Sequence, residues 1–130
     1  MKNMSSKIKY ELEFPIRSSV KVLYNILSTP SGLSEWFADD VNIKGDCYIF
    51  IWDEAKQVAK VLSKRNNQSI RFHWEDDEED TYFELKIQID DITNDVSLIV
   101  TDFAEDEDDV EDAKLLWANQ INGLRGCIGS

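Results

Sequence analysis

The chain predicts an α+β fold: an antiparallel meander of about seven strands laid on one long C-terminal helix. Three observations carry this. Val110, Ala113, Trp117, Ile121, Leu124 and Ile128 recur at spacings of three and four, so they share one helical face, with Leu116 and Ala118 on its flanks. Lys7 to Phe14 alternates strictly between apolar and charged residues, the period of a half-buried strand. From Asp40 onward, turn signals arrive roughly every eight to fifteen residues, as a meander requires. A helix over 107–128 would run roughly 33 Å at about 1.5 Å per residue. A compact chain of 130 residues has a radius of gyration of about 14 Å. The helix therefore crosses the whole molecule and needs an apolar surface of equal length beneath it.

In order, the first strand puts Ile8, Tyr10, Leu12 and Phe14 on one side, and Pro15 is expected to stop it. Ser18 or Ser19 caps a helix through Leu27 with the stripe Val20, Leu23, Tyr24 and Leu27. Thr29-Pro30 breaks it, because proline lacks a donor and pushes its predecessor out of the helical region. A short second helix follows over about 31–36, with Leu33, Trp36 and Phe37 as its apolar side. Strands are then expected near 41–44, 47–52, 57–65, 69–74, 82–90 and 95–103. Gly45-Asp46 closes the first hairpin, and Asn66-Asn67 tolerates the left-handed backbone of a turn. Phe83, Leu85, Ile87 and Ile89 face one way, and Leu98 and Val100 continue that inner face on the last strand.

A length of 130 residues fits one domain, 1–130, able to bury a core without staples. Four Trp, six Phe and four Tyr argue against disorder despite 31% charged residues. The longest apolar run, Cys47 to Trp52, is far short of the roughly 18 residues that span a bilayer. No secretory signal is visible at the start, so membrane insertion is not expected and a cytoplasmic location is. Two cysteines, Cys47 and Cys127, are too few for a disulfide framework and read as packing residues in a reduced compartment.

The formal net charge of −12 is local. Glu75, Asp76, Asp77, Glu78, Glu79 and Asp80 form one uninterrupted acidic run. Glu105, Asp106, Glu107, Asp108, Asp109, Glu111 and Asp112 form a second, broken only by Val110. Outside them the chain is close to neutral, with no basic face for the phosphates of nucleic acid or anionic lipid. In an up-and-down meander the strand ending at Trp74 and the strand ending at Phe103 point the same way. Both runs then share one rim, beside the positive end of the long helix's dipole. That rim is read either as a solvated, solubilising edge or as a docking surface for a basic protein partner whose binding weakens with salt.

The order of elements resembles the helix-grip fold of START-like proteins, and within it the bacterial branch similar to the activator of the heat-shock ATPase chaperone. The resemblance covers about Lys7 to Ile128. It is carried by Thr29-Pro30, Gly32-Leu33 and Trp36-Phe37-Ala38, by the Gly45 hairpin running into Phe50-Ile51-Trp52, and by Ile70-Arg71-Phe72-His73-Trp74 before the acidic turn. It implies a curved sheet gripping the C-terminal helix, with a cavity between them for a small hydrophobic or amphipathic ligand. On strand alternation, Trp36, Phe37, Phe50, Trp52, Phe72 and Trp74 are candidates for its wall, Leu85, Ile87, Leu98 and Val100 for its floor, and Trp117 and Ile121 for its lid. The same side chains would also fill a solid core, because bulky aromatics close cavities as readily as they line them.

Groups able to do chemistry are few. His73 sits between two inward residues and should point to the outer side of the sheet, while Arg71 and Lys60 read as outward charges. Asp102 points inward two residues after Val100, where it either anchors a ligand's polar head or caps the turn into the last helix. No phosphate loop, nucleophile elbow or His/Cys cluster with metal-ligand spacing occurs, and no cofactor is expected. The acidic runs lack the glycine and terminal glutamate of a calcium loop. The expected function is a non-enzymatic ligand-binding module. The alternative is a protein-interaction module acting through the acidic rim, and an enzyme of the cyclase or aromatase type would need an acid or base in the cavity, with Asp102, Glu54 and the tyrosines as its candidates.

Overall fold

β1 (Ile8–Ile16) leads into α1 (Val20–Ser28) and α2 (Pro30–Trp36), and a meander of β2 (Asp40–Lys44), β3 (Cys47–Trp52), β4 (Ala55–Arg65), β5 (Ser69–Trp74), β6 (Phe83–Ile89) and β7 (Val96–Ala104) ends in α3 (Glu107–Ile128). This computed structural model describes residues 7–129. The strands form one curved antiparallel sheet in the order β1-β7-β6-β5-β4-β3-β2, so the first strand pairs with the last.

Pro15 does not stop β1. It stays paired with Ser97, because β1 is an edge strand, where a missing N–H costs no ladder bond on the open side. Gly45 takes φ 63° in the β2–β3 turn and Asn67 φ 60° in the β4–β5 turn. β4 begins earlier than its alternation suggests, at Ala55, and carries a register shift between Val61 and Ser63 that leaves Leu62 half exposed. An extra residue of this kind bends its strand and adds to the curl of the sheet.

Ser19 caps α1 through the Val22 N–H. Thr29 serves both short helices: its hydroxyl donates to the Asn25 carbonyl at 2.7 Å and accepts from the Gly32 N–H at 3.0 Å. Leu23, Leu27 and Leu33 are then fully buried. Two tyrosines fasten this layer, Tyr24 donating to the Ser69 carbonyl and Tyr48 to the Ser28 carbonyl.

α3 lies on the inner face of the sheet as its periodicity predicts. Trp117, Ile121 and Leu124 are buried, a gain of roughly 1.5–3 kcal/mol for each large side chain. Its N-cap is Asp106, which accepts from the Asp109 N–H at 3.0 Å, so Asp102 is not the cap. Its far end is tied down by Arg125 donating to the Pro15 carbonyl at 2.8 Å. Leu116 stands 66% exposed. Ile89, expected inside, is half exposed at the open end of β6, and Cys127 is exposed rather than packed.

Candidate functional site

The interior holds one continuous cluster of rings. Phe37, which ends α2, is its hub, with ring centroids 5.2 Å from Phe50, 5.6 Å from Phe83 and 5.9 Å from Trp117. Phe50, Phe72, Leu85, Leu98, Val100 and Ile121 are fully buried, and Trp36 and Ile87 are buried nearly as deeply. Phe72 stacks on Phe83 at 5.0 Å and meets Phe50 edge-on at 5.7 Å. These side chains pack against one another.

Toward the acidic rim the packing opens into a cleft of about 520 Å³ between the sheet and the first half of α3. Phe37, Trp52, Trp74 and Trp117 line it, and so do Tyr10, Phe83, Ala113 and Leu116. The sequence therefore divides between two places. Four of the expected wall and lid residues meet the cleft, and the other eight sit in the packed cluster behind it. Tyr10, Phe83 and Leu116 were not among the expected lining. Phe83 is visible in the alternation of its strand, whereas Tyr10 reaches the cleft only because β1 pairs with β7, a long-range fact that local periodicity does not contain.

Asp102 forms the polar part of the wall. Its Oδ2 accepts from Trp117 Nε1 at 3.0 Å and from the Tyr10 hydroxyl at 3.4 Å, and its Oδ1 accepts from the Phe103 N–H at 2.8 Å. Burial pushes its carboxyl above the ordinary range against the pull of those bonds. Burial, helped by the nearby Asp102 charge, likewise raises the Tyr10 hydroxyl well above a free phenol.

The two acidic runs meet at the mouth of the cleft. Lys7 Nζ lies 2.7 Å from Asp77 and 3.3 Å from Glu105. Burial works to raise the Asp77 carboxyl, yet bonds from Lys7 and the Glu78 N–H hold it below the usual range. Glu75, Asp76, Glu78, Glu79, Asp80, Asp106, Glu107, Asp108, Asp109, Glu111 and Asp112 are exposed. Asp106, first among its acidic neighbours, raises the Asp109 carboxyl by like-charge repulsion.

The remaining chemical candidates lie elsewhere. His73 is on the outer face of the sheet, half-buried, with Nδ1 2.8 Å from the Thr81 carbonyl. Arg71 pairs with Glu84 and covers the Tyr82 ring at 4.0 Å. Glu54 stands exposed in the β3–β4 turn, and Lys60 is exposed 3.9 Å from Asp46. Among the described residues no cluster of three metal-ligating side chains occurs, and no helix is long and apolar enough to cross a membrane.

The START-like superfamily domain matches residues 4–130. The chain belongs to that superfamily. The START-like fold also matches the solution structure of BfR322 from Bacteroides fragilis, which is 37% identical, with 93% of this chain and 90% of that one covered at a TM-score of 0.68. The Aha1 dimer from Colwellia psychrerythraea is 17% identical, with 93% and 96% covered and a TM-score of 0.77. DynU16, a protein of the dynemicin biosynthetic locus, is 12% identical, with 93% of this chain and 46% of that one covered and a TM-score of 0.70. The last two likenesses speak to the fold alone. No curated protein matches the chain.

Proposed function

We propose that this START-like domain binds a small amphipathic ligand in the cleft between its sheet and the first half of α3, without turning it over. The observation that carries the reading is the cleft itself: about 520 Å³, walled by indole and phenyl rings, with Asp102 as one half-buried polar group. Such a site takes an apolar body and orients it by a small number of polar contacts. Because Phe50, Phe72 and Ile121 fill the space behind, the ligand sits under the helix near the rim. Among the described residues the lining holds no serine, cysteine or histidine, and Asp102, its candidate acid or base, is engaged by three hydrogen bonds, which favours binding over catalysis. The free thiols of Cys47 and Cys127 fit a reducing, cytoplasmic setting.

A neutral fluorescent probe, N-phenyl-1-naphthylamine, tests this. Its titration is expected to quench tryptophan emission and raise the melting temperature by mass action. Ala113→Phe, which fills the cleft from a half-buried position, is expected to weaken binding about tenfold or more. Quenching that Ala113→Phe leaves unchanged would place the probe elsewhere and defeat the reading.

A second reading, docking of a basic protein through the rim, is supported by the meeting of both acidic runs at Lys7. It predicts a partner lost when residues 75–80 are replaced by serine and released by salt.

A further inference from the structure

The charge around the cleft is one-sided. Asp102 lies in its wall and Glu105 and Asp109 on its lip. Lys7 is the one cation among the described lining residues, and it is already held between Asp77 at 2.7 Å and Glu105 at 3.3 Å. An anionic headgroup entering here would meet three carboxylates and a lysine whose charge is engaged. A cation would meet the reverse. Trp52, Trp74 and Trp117 line the cleft, and an indole ring attracts positive charge through its quadrupole, more strongly where water is excluded. Asp102 has room for it. Its three bonds, from the Phe103 N–H, Trp117 Nε1 and the Tyr10 hydroxyl, leave one of the about four lone-pair sites of an ionised carboxylate unused. Its burial is costly for a lone carboxylate and is relieved by an adjacent positive charge.

We propose that the cleft selects an amphipathic amine, with an ammonium or quaternary ammonium head against Asp102 and the indole faces and an apolar body along Phe83 and Leu116. This rests on the cleft being the ligand site and adds the charge class of the ligand.

Three probes with one naphthalene body separate the two claims when titrated into the full chain: 1-naphthylmethylammonium, 1-naphthylmethanol and 1-naphthoate. The ammonium is expected to bind about tenfold more tightly than the alcohol, with the carboxylate weakest. Asp102→Asn, nearly isosteric, is expected to cut the preference for ammonium over alcohol about tenfold. The exposed pair Glu105→Gln with Asp109→Asn gives a second readout that does not touch the buried wall: the preference for ammonium over alcohol falls severalfold. Equal binding of ammonium and alcohol, or preference for the carboxylate, overturns the amine assignment and leaves the cleft reading standing. Binding of none of the three overturns both.

Discussion

A methyl group added at Gly32 would lie 2.6 Å from the Asn25 carbonyl oxygen and 2.6 Å from Ile26 Cα. Both are backbone of α1, whose Leu23 and Leu27 are fully buried and leave it nowhere to move. Gly32→Ala is therefore expected to cost about 2–3 kcal/mol, read as a lower urea midpoint. Gly123→Ala in α3, where an added Cβ meets nothing within 4 Å, should instead gain roughly 0.5–1 kcal/mol from helix propensity. Asp102 adds a pH signature. Burial raises its folded-state pKa above the unfolded value, so the folded protein keeps that proton longer, and stability is lost as pH rises through the carboxylate range. The melting temperature of Asp102→Asn, relative to the parent, should therefore climb as pH rises from about 4 through the raised pKa of Asp102; a flat difference would contradict it. The inward direction of Asp102 was legible from strand alternation. Its partners were not, because a bond from Tyr10 across 92 residues and another from Trp117 across 15 depend on strand order and helix placement together.

Each helix start depends on a single short side chain, Ser19, Thr29 or Asp106. Asp106→Ala removes the acceptor of the Asp109 N–H and is expected to cost about 1 kcal/mol, measurable in the same urea titration. Part of that loss is returned by relief of the repulsion that raises Asp109, so the cost should grow in high salt, where repulsion is screened and the cap is not. The elements themselves were readable because their patterns are local. The heptad-like stripe of α3, the Thr29-Pro30 break and the Gly45 turn all act within a few residues. Pro15 was misread, and the bulge at Leu62 went unseen, for the opposite reason. A proline ends a strand or not according to whether the strand is an edge, and a bulge at Leu62 is set by its partner β5; neither fact is written nearby. The exposure of Cys127 is of the same kind, since the far end of α3 overhangs α2 and leaves the thiol 3.4 Å from the Glu35 carbonyl.

For the molecule as a whole, Lys7 joins the two acidic runs that the meander brings to one end. Lys7→Met is expected to lower stability by about 1 kcal/mol, and the difference should shrink in about 1 M salt. Acid acts on the same contact: bonding by Lys7 holds Asp77 below its unfolded value despite burial, so that contribution is present above the ordinary carboxylate pKa and lost as pH falls through the depressed one. A midpoint indifferent to Lys7→Met would show the rim to be held by backbone alone. The pairing of β1 with β7 reaches further. The segment a ribosome makes early stays without its sheet neighbour until residues 96–104 have emerged, and Tyr10 remains without Trp117 beside it until α3 is released. A nascent chain therefore closes its sheet only once β7 is out, and the cleft gains its second wall only when α3 follows, so the two most distant parts of the fold are completed last and together.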